Sequence, residues 1–98
     1  LVGGPNTTDG IFVNTGVKAV ISNNVVKHCN RNGIAISTDA LAFIKNNIVI
    51  MGSSMSGAYP ISIGATATGA CVDNIIYNTK NIAGGAAMTV ERNTLVTP

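Results

Sequence analysis

The sequence predicts an all-β fold, a single-stranded parallel solenoid of about four coils, and three observations carry that prediction. A short phrase is written four times: Ile21-Ser22-Asn23-Asn24-Val25-Val26, Ile44-Lys45-Asn46-Asn47-Ile48-Val49, Cys71-Val72-Asp73-Asn74-Ile75-Ile76 and Val90-Glu91-Arg92-Asn93-Thr94-Leu95. A second marker precedes each phrase: Gly10-Ile11-Phe12-Val13, Gly33-Ile34-Ala35-Ile36, Pro60-Ile61-Ser62-Ile63 and, more weakly, Asn81-Ile82-Ala83. The interval from the marker Ile to the second Asn is 13 residues in three coils and 11 in the fourth. Two markers held in phase at a period of roughly 20 to 30 residues are the signature of stacked coils rather than of a globule.

Taken in order, residues 1–9 form an entry segment, with Asn6-Thr7-Thr8-Asp9-Gly10 reading as a turn, and residues 10–96 hold the repeats. The first coil runs from Ile11 to Asn24 and on through Val26, the second from Ile34 to Asn47, and the third from Ile61 to Asn74. In the second coil, Ile48-Val49-Ile50-Met51 reads as a buried strand. The fourth coil departs from the pattern, because Gly84-Gly85-Ala86-Ala87 forms strands poorly and its phase is two residues short. Variable length falls after each Asn phrase, where insertions in a solenoid become loops on one side. The longest such connection is Met51 to Pro60.

Stacking the coils on the second Asn makes the columns chemically uniform. Three residues before it stand Ile21, Ile44, Cys71 and Val90, and two after it stand Val26, Val49, Ile76 and Leu95. Five before it stand Ala19, Ala42, Gly69 and Met88. Strands send alternate side chains to opposite faces, so these columns line a common interior. Asn24, Asn47, Asn74 and Asn93 are expected to form a ladder, each carboxamide donating to one neighbour and accepting from the other. Asn also tolerates the left-handed backbone of a sharp bend, which the same column is expected to supply.

Composition agrees with a slender aliphatic interior. Charged residues are 10% of the chain, against roughly a quarter in ordinary soluble domains. Hydrophobic residues are 46%, aromatics 4%, and Trp is absent, so the core is built from Val, Ile, Ala and Met. A net charge of +2 with scattered basic residues gives no nucleic-acid footprint, and no run of 18 apolar residues suggests a membrane helix. One domain at most is expected. Its uncapped repeats at both ends read as a segment of a larger protein.

The Gly-Ile-x-Ile markers and the Ile-x-Asn-Asn-(Val/Ile)-(Val/Ile) phrases resemble the parallel β-helix repeats of the pectate-lyase-like superfamily, which includes many phage tailspikes. The resemblance covers about residues 10–96. It implies a right-handed, three-sided coil and a parent that binds or depolymerises host surface polysaccharide, with a phage tailspike or tail fibre as the leading case. It also implies a homotrimer, on a virion tail or an extracellular or cell surface. The alternative is a non-catalytic structural shaft, or a secreted or periplasmic carbohydrate-binding β-helix. The outward column Val25, Ile48, Ile75 is too apolar for a solvated face and hints at a subunit contact.

Chemistry-bearing residues are few. The only acids are Asp9, Asp39, Asp73 and Glu91, and glycoside hydrolysis needs two across the scissile bond. Asp39, Asp73 and Glu91 are therefore the catalytic candidates. Against that role, Asp73 stands one coil from Arg92 and reads as half of an inter-rung ion pair, Asp39 as a turn residue, and Glu91 as solvated. By resemblance to lyases of this fold, Lys27, His28 and Arg31 can act as base and charge neutraliser. The bland reading of that run is a solvated loop. Tyr59 either stacks on a sugar ring or covers the coil. No cofactor or metal is expected, since the acids do not cluster and no Cys/His ligand spacing occurs. Cys71 sits in an inward column as a small hydrophobe, and a disulfide to Cys29 is not expected.

Overall fold

A computed structural model describes residues 9–27, 31–51, 57–78 and 80–97. Among them are twelve strands and no helix: β1 (Ile11–Val13), β2 (Lys18–Ser22), β3 (Val25–Lys27), β4 (Ile34–Ile36), β5 (Leu41–Lys45), β6 (Ile48–Ile50), β7 (Ile61–Ile63), β8 (Thr68–Val72), β9 (Ile75–Tyr77), β10 (Ala83–Gly84), β11 (Thr89–Glu91) and β12 (Thr94–Val96). They form three four-stranded parallel sheets, ordered β1-β4-β7-β10, β2-β5-β8-β11 and β3-β6-β9-β12. Each sheet takes one strand from each of four rungs. This is the parallel β-solenoid that the two markers demand.

The register follows the Asn phrase residue for residue. Ile21 pairs with Ile44, Ile44 with Cys71 and Cys71 with Val90; Val26 pairs with Val49, Val49 with Ile76 and Ile76 with Leu95. The markers align likewise, with Ile11 on Ile34 and Ile34 on Ile61. Ile34, Ile44, Ile61 and Ile76 are wholly buried, each contributing about 1.5–3 kcal/mol of hydrophobic stabilisation. At Gly69 the backbone is left-handed (φ +118°), and an added Cβ would collide with the Ala42 carbonyl. Glycine is required there.

The fourth rung absorbs its two-residue deficit in one place. Ala83 and Gly84 still pair with Ser62 and Ile63, but β11 has three residues where β8 and β5 have five. Two further expectations need correcting. Ile48-Val49-Ile50 is a strand, yet only Val49 is buried, because Ile48 and Ile50 face outward on the alternation of the strand. Val90 and Leu95 keep the inward register but are 38% and 37% exposed, since β11 and β12 are edge strands among the described residues.

The ladder is continuous. Asn24 Nδ2 donates to Asn47 Oδ1 (3.2 Å), Asn47 Nδ2 to Asn74 Oδ1 (3.0 Å) and Asn74 Nδ2 to Asn93 Oδ1 (2.9 Å). The same oxygens also accept the backbone N–H of Asn24, Asn47 and Asn74, each at 3.0 Å. The second Nδ2 hydrogen reaches down to a strand carbonyl, from Asn47 to Ile21, Asn74 to Ile44 and Asn93 to Cys71. The left-handed bend, however, belongs to the preceding column. Asn23, Asn46, Asp73 and Arg92 have φ of 59°, 57°, 58° and 55°. The ladder Asn is thereby aimed inward while its neighbour turns the corner. Asn and Asp suit such a φ because their short polar side chains bond locally, whereas Arg92 occupies it without that help.

Replacing Asn47 by Ala removes the acceptor of the Asn24 N–H and takes a side-chain donor from the Ile21 carbonyl and from Asn74 Oδ1, which keeps only the residue 47 N–H. Urea denaturation of Asn47→Ala is expected to show a loss of about 2–4 kcal/mol, against about 1 kcal/mol for Asn24→Ala at the half-buried end of the ladder. Equal losses at the two positions would contradict a ladder whose members depend on burial.

Candidate functional site

The three corners of each coil are built differently, and the candidate residues divide among them. The first corner joins β1 to β2 and its equivalents through four residues each, the second joins β2 to β3 and its equivalents through two, and the third returns to the next rung through six, ten and five.

Asp39 lies at the first corner of the second rung. It is exposed, left-handed (φ 60°), and its N–H donates to Thr66 Oγ1 at 3.0 Å. It serves as a turn residue. The five-residue strand β5 separates it from the second corner by roughly 16 Å.

Asp73 and Glu91 meet at the second corner, brought together by Arg92. The Arg92 Nε and Nη2 hydrogens reach Asp73 Oδ1 (3.0 Å) and Oδ2 (3.3 Å), and Nη1 reaches Glu91 Oε1 (2.8 Å). Hydrogen bonding to Asp73, then its charge, lifts the fully exposed guanidinium above its ordinary pKa. The inter-rung pair Asp73–Arg92 is thus formed as its spacing implies, and Glu91 joins it. Both carboxylates lie within one guanidinium's span, close enough for acid chemistry. Their lone pairs, however, are engaged by a permanent cation.

The third corner holds Tyr59, Lys27 and Arg31. Lys27 ends β3 with its side chain outward, and Arg31 is exposed four residues on. His28 and Cys29 lie outside the described residues. Tyr59 is 37% exposed, with the Lys80 ammonium 5.2 Å from its ring centroid while Lys80 Nζ donates to the Ala58 carbonyl (2.9 Å). One ring face is therefore occupied by a cation.

The same corner carries a second stack of side-chain oxygens. Asp9 Oδ1 accepts the Asn32 N–H (3.2 Å), and Asn32 Oδ1 accepts the Tyr59 N–H (2.8 Å). Asn32 is buried. The direction is opposite to that of the Asn ladder: here a rung's N–H reaches back to the rung before it. The signal was Asp9-Gly10-Ile11 beside Asn32-Gly33-Ile34, a side-chain acceptor two residues ahead of the marker Ile.

Among the described residues no group of His, Cys, Asp and Glu is arranged to hold a metal ion. Among the same residues no helix is long and apolar enough to cross a membrane. Cys71 is not a nucleophile, because burial pushes its thiol from the ordinary 9.0 up to about 12, opposed weakly by the hydrogen bond from Asn74 Nδ2 (3.5 Å). No family model, characterised protein or solved structure matches the chain.

The Cys71 thiol makes an alkaline limit. Its folded pKa lies above its unfolded one, so its contribution is complete below about pH 9 and is lost as pH rises toward 12. In a Cys29→Ser background, the parent is expected to lose about 2 kcal/mol more than Cys71→Ala between about pH 8.5 and about pH 10.5, measured by urea unfolding. Superimposable pH profiles would contradict the assignment.

Proposed function

We propose that this chain is a shaft segment of a larger β-helical protein of the phage tailspike or tail-fibre kind, on a virion tail or an extracellular surface. In it the solenoid is a rigid support, and polysaccharide binding or cleavage belongs to parts of the assembly that it positions. One observation carries this reading: two adjacent sheets turn apolar side chains outward. On the β2-β5-β8-β11 sheet these include Val20 (69% exposed) and Phe43 (43%), and on the β3-β6-β9-β12 sheet Val25 (45%), Ile75 (38%) and Tyr77 (43%). A solvated shaft would carry polar residues there. The polar corner of Asn23, Asn46, Asp73 and Arg92 divides the two faces.

Two different apolar faces on one three-sided prism suit a heterologous ring, where one face of each copy packs on the other face of the next. Three copies close such a ring, as in the homotrimers that the repeat pattern resembles. The state of Asp73 and Glu91, both held by Arg92, supports the non-catalytic role over a hydrolase centre at this corner.

Light scattering of the purified chain is expected to give a trimer, and a reducing-end assay on capsular and O-antigen glycans to give no release. Phe43→Lys and Tyr77→Lys, one on each of these two faces, should each dissociate the trimer alone, because every interface uses both faces. A monomeric parent at about 100 µM, well above the Kd of a stable interface, would overturn the proposal, as would sugar release lost on mutating Asp73 or Glu91.

A further inference from the structure

The two ends of the solenoid are not equivalent. At the first rung the inward residues Val13, Ile21 and Val26 are only 4%, 5% and 0% exposed. At the fourth, Val90 and Leu95 hold the same inward columns and are more than a third exposed. Beside Val90 lies an open cavity of about 240 Å³, bordered by Ile82, Gly84, Arg92 and Asn93.

The polar groups at this end have a fixed geometry. In each lower rung, the backbone N–H and Nδ2 of the ladder Asn converge on one oxygen, the Oδ1 of the next Asn. The carbonyl of that ladder Asn then accepts the N–H of the residue after the next Asn, as Asn24 does from Ile48, Asn47 from Ile75 and Asn74 from Thr94. Asn93 gives one Nδ2 hydrogen to the Cys71 carbonyl, and its backbone N–H, its other Nδ2 hydrogen and its carbonyl have no partner among the described residues. The Val90 carbonyl occupies the register position of Ile21, Ile44 and Cys71, whose carbonyls each take an Nδ2 hydrogen from above. Two donors aimed at one oxygen, beside two acceptors aimed at an NH₂ and an N–H, describe a socket for a primary carboxamide on a parallel strand.

We infer that the fourth-rung end is a docking site for a fifth coil of the same polypeptide, one that places an Asn over Asn93 and apolar residues over Val90 and Leu95. The inference rests on the reading of this chain as a segment of a longer solenoid. Two fourth-rung ends meeting about a two-fold axis would set their strands antiparallel, which does not place one carboxamide over another in the ladder's register. A second copy's first rung is a poor occupant, since its inward residues are already covered.

The test appends a copy of residues 57–78 after residue 98, with Asn74's counterpart in the appended coil either kept or changed to Ala. Amide hydrogen exchange at Asn93 is expected to slow by about tenfold or more in the Asn fusion, with a higher urea midpoint and a steeper m-value. The Ala fusion should lose most of that protection. Unchanged Asn93 exchange in both fusions would overturn the inference, as would equal protection by both. Concentration-dependent protection of Asn93 in the unfused chain would overturn it in favour of a second copy. The lateral trimer is scored separately by Phe43→Lys and Tyr77→Lys, so either proposal can fail while the other stands.

Discussion

A carboxamide buried inside a coil must have its hydrogen bonds met, and here only the coils above and below can meet them. Asn47 and Asn74 are 1% and 0% exposed, and no buried side-chain nitrogen or oxygen among the described residues lacks a partner. An unmet amide in that interior costs kilocalories, so the rungs cannot slide. A slip by one residue would expose the aliphatic columns and orphan every rung of the ladder at once. The aliphatic side chains supply most of the stabilisation. The ladder supplies the register that lets them stack.

That division of labour explains what could be read from the sequence. Asn24, Asn47, Asn74 and Asn93 recur with the same apolar flanks, so the stack, its columns and the Asp73–Arg92 pair were all legible. The placement of the left-handed bend was not. Asn23, Asn46 and Asp73 have the same conformational licence as the ladder residues, and sequence chemistry alone does not tell which of two adjacent Asn turns. The third-corner stack escaped for a different reason. Asp9, Asn32 and Tyr59 share no residue type, and the last contributes only its backbone N–H. The exposure of Val90 and Leu95 was illegible because a column predicts a direction, whereas burial also needs a neighbour.

Function is thinly written for a related reason. Inward positions are spent on packing and the second corner on turning, which leaves the outward faces and the third corner to specify anything else. Those outward positions are mostly apolar or small, and of the four acids two, Asp73 and Glu91, are tied to Arg92. Such a chain carries contact surfaces more readily than convergent catalytic groups.

The connections at the third corner have a consequence for how such a molecule diversifies. Two corners hold constant lengths of four and two residues in every rung, while the third takes six, ten and five. Length change at that corner leaves the pitch untouched, because the Gly33 and Tyr59 backbones re-enter the same bonding pattern afterwards. Elaborations can therefore accumulate along a single seam parallel to the axis, like teeth on a comb, spaced by the strand-to-strand repeat of about 4.8 Å. An extended polymer lying along that seam would meet a linear array of independently variable contacts at a spacing the scaffold never alters.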